Sequence, residues 1–203
     1  MTDSTVTPEA APAAPAASGP VPGSVPANAV EAALLHAELD PASTRRRELV
    51  FQDPVASFER AAGMTGLEQM RAIAGAELPP APIAVVMNFA PAFIDEGRVV
   101  FLGEPGEEHY NPIGVVHGGY ASTLLDTVLG CAVHTTLAAG ESYATQTLEV
   151  KLVRAITRDT GRVRAEATIS YRGRRQATAE ARIVSDEGKL LATGTSTCMI
   201  IAG

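Results

Sequence analysis

Cysteine, long apolar runs and positive charge are all scarce in this sequence, and each scarcity excludes a class of protein. The 203 residues include two cysteines, Cys131 and Cys198, whose spacing fits no metal-ligand motif and whose isolation suits a reducing compartment. No apolar run approaches the roughly 20 residues that a membrane-spanning helix needs. The net charge of −7 argues against a nucleic-acid-binding surface.

The N-terminus also lacks the basic start and the apolar core of an export signal. We therefore expect a cytoplasmic protein with no membrane partner and no nucleic-acid partner. An apolar content of 46% is sufficient for one buried core of ordinary size, with a tail.

Composition divides the chain into three zones. Residues 1–28 are rich in proline and alanine and almost free of large apolar side chains, so they cannot offset the entropy of ordering and are predicted to form a disordered tail. Residues 29–80 are predicted to form a helical extension, with a first helix over Ala29–Leu39. Residues 81–203 are predicted to form the main domain.

Two further helices are predicted in the extension from their start signals. Asp53 is an N-cap followed by Pro54, which suits the first turn, and Thr65 and Glu68 have capping-box spacing before a helix that Gly75 ends. A DNA-binding helix-turn-helix is an alternative, but the zone has eight acidic residues against five arginines. Its net charge is therefore negative, whereas a DNA-binding surface is positively charged. We expect it to form a cover over the main domain.

The main domain combines two strand patterns, one long helix and then four more strands. The helix is apolar on nearly every face, which is typical of a buried helix. Short turn signals join the later strands, so these are expected to pair antiparallel. The sequence therefore predicts an α+β fold with an antiparallel sheet wrapped around one long central helix. The expected strands are 83–93, 98–101, 144–153, 162–171, 176–184 and 191–201, and the expected helix is 120–137.

The most informative segment runs from Asn111 to Asp126. His117, Gly118 and Gly119 open the central helix, and free N–H groups at a helix start can bind an anion or a developing oxyanion. A carboxylate on an otherwise apolar helix costs free energy to bury, so its presence indicates a functional role. The segment therefore predicts a pocket that polarises a carbonyl group, with a carboxylate beside it.

The order of elements resembles the hotdog fold, and the motif refines that resemblance. The pattern N-x-x-G-x-x-H-G-G-x-x-x-x-L-x-D over residues 111–126 is similar to the PaaI-like (phenylacetate-degradation type) branch of thioesterases. The similarity continues through Thr145–Arg154 and covers roughly residues 83–200. It implies hydrolysis of acyl-CoA thioesters, with no metal and no other cofactor.

The resemblance also assigns roles to individual residues. Asn111 would orient the thioester or the attacking water, and the Gly118 N–H would polarise the thioester carbonyl. Asp126 would activate water as a general base, or attack directly, with Thr145 helping to hold the water. His117 would contact the sulfur or shape the loop.

Other residues are assigned to substrate binding. Gly119 would allow close backbone approach, and Tyr120 would line the acyl pocket. Position 154 is more often proline in this branch, and Arg154 is expected to affect the sheet edge and not the chemistry. Three arginines of a predicted hairpin would clamp the phosphates of coenzyme A, or lie in a solvated turn: Arg172, Arg174 and Arg175.

A distance argument adds a partner. Asp126 follows Gly118 by eight residues, which is roughly 12 Å along a helix, whereas each group must lie about 3 Å from the reacting atoms. Gly118 of one subunit could instead meet Asp126 of a second across a two-fold axis. The sequence therefore predicts a homodimer. The resemblance implies the same, and it adds that such dimers often pair into a dimer of dimers.

Two alternatives to this function remain open. The chain could be a non-catalytic module that binds acyl-CoA or acts as a scaffold, in which Asn111 is a turn residue, His117 a loop cap and Asp126 an interhelical hydrogen-bonding group. A hotdog dehydratase ranks last, because the sequence offers no catalytic histidine in the required position.

Overall fold

A computed structural model of the chain describes residues 40–202, so the predicted tail 1–28 and the predicted helix Ala29–Leu39 lie outside the described residues. From Glu48 onward the chain forms one compact unit. Its helices are α1 (Pro54–Arg60), α2 (Gly66–Ala74), α3 (Pro82–Val86) and α4 (Gly118–His134). Its strands are β1 (Phe89–Asp95), β2 (Arg98–Gly103), β3 (Ser142–Leu152), β4 (Val163–Arg172), β5 (Gln176–Ser185) and β6 (Leu190–Ile201).

One antiparallel sheet of six strands, in the order β1-β2-β4-β5-β6-β3, curves around α4. Nine of the 17 residues of α4 are buried, which explains why the helix is apolar on most faces. The strands facing it carry small side chains that let the helix lie close to the sheet. These buried alanines are Ala165 and Ala167 on β4 and Ala177, Ala179 and Ala181 on β5. The predicted α+β hotdog architecture is confirmed.

The start of the first predicted strand is wrong. Residues 82–86 form the short helix α3 with Pro82 in its first turn, and β1 begins only at Phe89, after Asn88 with its φ of 51°. Pro82 has a φ suited to a helix start, and a short apolar run alone does not distinguish a helix from a strand. The central helix also begins two residues earlier than predicted and ends at His134.

The capping signals of the extension are confirmed. Asp53 accepts a hydrogen bond from the Val55 N–H, and Thr65 and Glu68 form a reciprocal capping box. Helix α2 is fastened to the C-terminal end of α4, because the Gly66 N–H donates to the Leu137 carbonyl at 3.0 Å. Helix α2 therefore lies at the end of α4 that is farthest from Gly118. None of the helices in the described region is long and apolar enough to cross a membrane.

Gly66 is predicted to tolerate no side chain. A Cβ there would fall inside the van der Waals radius of the His134 carbonyl oxygen, so Gly66→Ala must push α2 off α4. We expect a loss of at least about 2 kcal/mol in the free energy of unfolding, measured by urea titration.

The matched control is Gly75→Ala at the other end of α2. Its Cβ would lie 3.3 Å from the nearest atom at a negative φ, so we expect a change below about 1 kcal/mol. Equal effects of the two substitutions would contradict this account of how the extension docks.

Candidate active site

The loop before α4 is held in place by His109, a residue that the sequence motif does not include. Its Nδ1 accepts from the Gly106 N–H at 2.9 Å and its Nε2 lies 3.2 Å from the Val86 carbonyl oxygen. Its own carbonyl accepts from the His117 N–H at 2.8 Å, and its ring packs on Tyr120. Because the side chain is buried with both ring nitrogens occupied, His109 fixes the point at which α4 begins.

The first turn of α4 leaves one N–H without an acceptor. The His117 ring accepts from the Gly119 N–H at 2.8 Å, and the His117 carbonyl accepts from the Tyr120 N–H at 2.9 Å. Nothing in the described part of the chain accepts from the Gly118 N–H. This donor lies at the positive end of the helix dipole, so it can bind an anion or a developing oxyanion.

Both glycines have a side chain close to the position that a Cβ would occupy. A Cβ on Gly119 would lie 2.8 Å from Nδ1 of His117, so a side chain there would displace the capping ring. A Cβ on Gly118 would lie 2.6 Å from Cδ1 of Leu152. The first role of His117 in this structure is therefore to cap and shape the loop.

Asn111 stabilises the same loop through its side-chain oxygen, while the N–H donors of its side-chain amide remain available. Its Oδ1 accepts from the N–H groups of Ile113 and Val115 at 3.1 and 3.3 Å. No acceptor for its Nδ2 group occurs among the described residues. Asn111 is therefore a turn residue whose amide can still donate to a ligand.

Asn111 and Gly118 line a common cavity of about 240 Å³. Its far wall is the segment that follows β3, from Leu152 to Ile156, and the Val116 N–H donates to the Ile156 carbonyl at 3.0 Å. Arg154 lies in this wall. Arg154, which is expected to affect the sheet edge, therefore also lines the cavity, because the chain leaves β3 and turns toward the start of α4.

Asp126 and Thr145 form a second cluster. The Thr145 hydroxyl donates to Oδ1 of Asp126 at 3.3 Å. Thr145 lies beside a β-bulge in β3, the edge strand of the sheet, and bulges reorient side chains. The structure therefore brings together two residues that lie 19 positions apart in the sequence.

The groups around Asp126 are held in their neutral forms. Burial, reinforced by the Asp126 carboxylate, raises the pKa of the Cys131 thiol to about 12. Burial, with a smaller contribution from Asp126, likewise raises the pKa of Tyr143. Asp126 forms no ion pair with a basic side chain in the part of the chain that the structure describes. The nearby Cys131 thiol and Tyr143 hydroxyl are thus uncharged at neutral pH.

The two clusters do not meet within one protomer. Gly118 is the first residue of α4 and Asp126 lies in its third turn, so about 12 Å of helix separate them. One protomer therefore presents an N–H donor site and a carboxylate site as two separate half-sites.

Of the residues expected to bind substrate, Gly119 lies in the first turn of α4, Tyr120 is buried, and the hairpin arginines lie near the other end of the helix. Tyr120 is 1% exposed in the core, and its hydroxyl is the one fully buried side-chain polar atom without a hydrogen bond in the described region. Arg172 is bound to Glu141 and Thr136, beyond the far end of α4. The exposed Arg174 and Arg175 follow it in the same hairpin, so about 24 Å of helix separates these arginines from Gly118 of their own chain.

Residues 113–192 match the family model of the thioesterase superfamily. The structure is similar to that of a phenylacetic acid degradation-related protein from Ralstonia eutropha JMP134, with 29% identity, a TM-score of 0.59, and coverage of 64% of this chain and 98% of that one. A mutant of the phenylacetic acid degradation protein PaaI from Thermus thermophilus has 28% identity and a TM-score of 0.54, covering 59% of this chain and 98% of that one.

These similarities support a PaaI-like hotdog thioesterase. Escherichia coli PaaI supports the fold, with a TM-score of 0.59 at 21% identity over 68% of this chain and 95% of that one. No curated protein matches the chain significantly. The family supports thioester hydrolysis as the reaction of this PaaI-like domain. No cluster of three or more histidine, cysteine or acidic side chains suited to a metal occurs in residues 40–202.

We predict that Tyr120 has a structural role only. Tyr120→Phe keeps the ring on which His109 packs and removes a buried hydroxyl that has no partner. We expect the free energy of unfolding to rise by about 1 kcal/mol in urea titrations, since the desolvation cost of the hydroxyl is removed. The KM for a thioester substrate should be unchanged. A clear rise in KM would instead indicate that Tyr120 lines the substrate pocket and would contradict this prediction.

Proposed function

We propose that the chain is a homodimeric acyl-CoA thioesterase whose active site combines the half-sites of two protomers. Asn111 and the Gly118 N–H come from one protomer, and Asp126 and Thr145 come from the other. The observation that carries this proposal is the separation of two complementary half-sites along a single rigid helix. A two-fold axis between antiparallel α4 helices would bring the halves together and generate two equivalent sites.

The proposed chemistry uses only side chains and backbone of the chain. The thioester carbonyl oxygen accepts from the Gly118 N–H, with the dipole of α4 behind it. Asp126 takes a proton from water as the water oxygen attacks the carbonyl carbon, and Thr145 holds the carboxylate in position. The tetrahedral intermediate then collapses, the carbon–sulfur bond breaks, and the thiolate of coenzyme A takes up the proton that Asp126 had accepted from water, which regenerates the carboxylate. The products are the free acid and coenzyme A.

Strand β3 supports dimer formation. It is an edge strand of 11 residues, largely exposed, and therefore offers a row of unpaired backbone groups for strand addition. Leu148, Leu152 and Val153, on and just after this strand, are also exposed, with relative exposures of 38%, 59% and 54%. A second copy pairing with this edge would bury apolar surface next to both half-sites.

We extend the proposal to a cytoplasmic dimer of dimers, as the family resemblance implies. The outer face of the sheet, away from α4, offers a groove of about 430 Å³ lined by charged residues. Within it Glu166 is bound by Arg98, Arg164 and Arg182, and the guanidinium groups of Arg98 and Arg182 lower the pKa of the Glu166 carboxyl. Such a fixed charge array suits contact with a second dimer.

The proposal predicts that Asp126→Asn abolishes turnover without abolishing binding. The amide cannot accept a proton at neutral pH, so kcat for thiol release from a panel of acyl-CoA substrates should fall by about 10² to 10⁴. KM should change little, because the oxygen of the substituted amide can still accept the hydrogen bond from Thr145.

Asp95→Asn is the matched control, since Asp95 is an exposed acid at the end of β1. It should leave kcat unchanged. Tight binding of acyl-CoA by the wild-type protein without any turnover would contradict the thioesterase and support the non-catalytic binding module.

A further inference from the structure

Among the described residues, Arg154 is the only one with a permanent charge in the wall of the cavity that contains Gly118. The cavity is otherwise lined by apolar side chains, by His117 and by the amide of Asn111. Arg154 is exposed, so its guanidinium group is accessible from solvent at the mouth of this cavity. A single cation beside the positive end of a helix dipole creates a local positive potential in a protein with a net charge of −7.

The backbone around Arg154 is fixed. Its N–H and that of Val153 both donate to the Leu191 carbonyl, at 3.0 and 2.9 Å. The Ile156 carbonyl accepts from Val116, which ties the same segment to the loop before Gly118. The position of Arg154 relative to the free N–H of Gly118 is therefore set by hydrogen bonds on both sides of the cavity.

The side chain of Arg154 is anchored but its charge is not neutralised. Its Nη1 donates to the Leu190 carbonyl at 2.8 Å, which leaves the other guanidinium N–H groups available. No carboxylate pairs with it in the part of the chain described, whereas other arginines of the sheet pair with acids, such as Arg98 with Glu166 and Arg162 with Asp186. An anchored and unpaired guanidinium is well suited to bind a carboxylate or a phosphate.

We propose that Arg154 is a specificity residue that binds an anionic group of the thioester ligand at the mouth of the Gly118 cavity. The inference rests on the proposed function and adds the residue that binds a negatively charged group of the thioester. The anion is either a carboxylate on the acyl group or a phosphate of the carrier thiol, and both would form charge-assisted hydrogen bonds with the free guanidinium N–H groups.

The test compares Arg154→Ala with wild type on four thioesters that share one acyl chain length. These are a neutral acyl N-acetylcysteamine thioester, the neutral acyl-pantetheine, the acyl-CoA, and an N-acetylcysteamine thioester whose acyl group ends in a carboxylate. We expect kcat/KM to fall about ten- to a hundredfold, mainly through KM, only on substrates with the anion that Arg154 binds. A loss confined to acyl-CoA identifies the phosphate, and a loss confined to the carboxyacyl thioester identifies the acyl carboxylate.

Arg158→Ala is the matched control. Arg158 is an exposed arginine four residues later that does not line the cavity, so its removal should leave all four values of kcat/KM unchanged. Arg154→Lys should retain part of the selectivity for the anionic substrate, because lysine keeps the positive charge but lacks the planar guanidinium that can form two parallel hydrogen bonds. The proposal is overturned if Arg154→Ala lowers kcat/KM equally on all four substrates. It is also overturned if the loss of kcat/KM first appears with the neutral acyl-pantetheine.

Binding is measured separately so that the two proposals can fail independently. Thioether analogues, in which CH₂ replaces the thioester carbonyl, are titrated calorimetrically against dimeric wild type and Arg154→Ala, with the oligomeric state checked by sedimentation. A charge-dependent loss of affinity supports the role of Arg154 even if no thioester is hydrolysed. Loss of the dimer in Arg154→Ala, with no charge dependence of binding, instead assigns Arg154 to the subunit contact and overturns the inference.

Discussion

The rise of a single α-helix is the constraint on which the rest of the structure depends. Gly118 and Asp126 are both residues of α4, and eight residues of rigid helix hold them about 12 Å apart. No loop movement can shorten that distance, because α4 is packed in the core against the sheet. Any reaction that needs both groups at one carbon therefore needs two copies of this helix.

The fold supplies what such a pair of helices requires. Small alanines on β4 and β5 let α4 pack closely on the sheet, His109 fixes where the helix begins, and the bulge in β3 turns Thr145 toward Asp126. In the single chain, β3 forms one edge of the sheet. Each half-site is thus rigid by itself, which favours catalysis by preorganised groups over catalysis by induced closure.

Much of this arrangement can be predicted from local sequence signals. Capping residues such as Asp53 and Thr65, the apolar pattern of α4 and the turn signals between the later strands each depend on a few neighbouring residues, and the structure bears them out. The placement of side chains that depends on distant contacts cannot be predicted from these local signals. Tyr120 follows the motif directly yet points into the core, Arg172 pairs with Glu141, and Arg154 reaches the cavity only because the chain turns after β3.

The central claim is tested most directly by a heterodimer of two inactive subunits. Asn111→Ala and Asp126→Asn chains carrying different affinity tags are co-expressed, and the mixed dimer is purified through both tags. With composite sites one of its two sites contains only wild-type residues, so acyl-CoA hydrolysis should recover to about half of the wild-type rate. If each site were built within one protomer, the mixed dimer would be no more active than its parents, which would contradict the account.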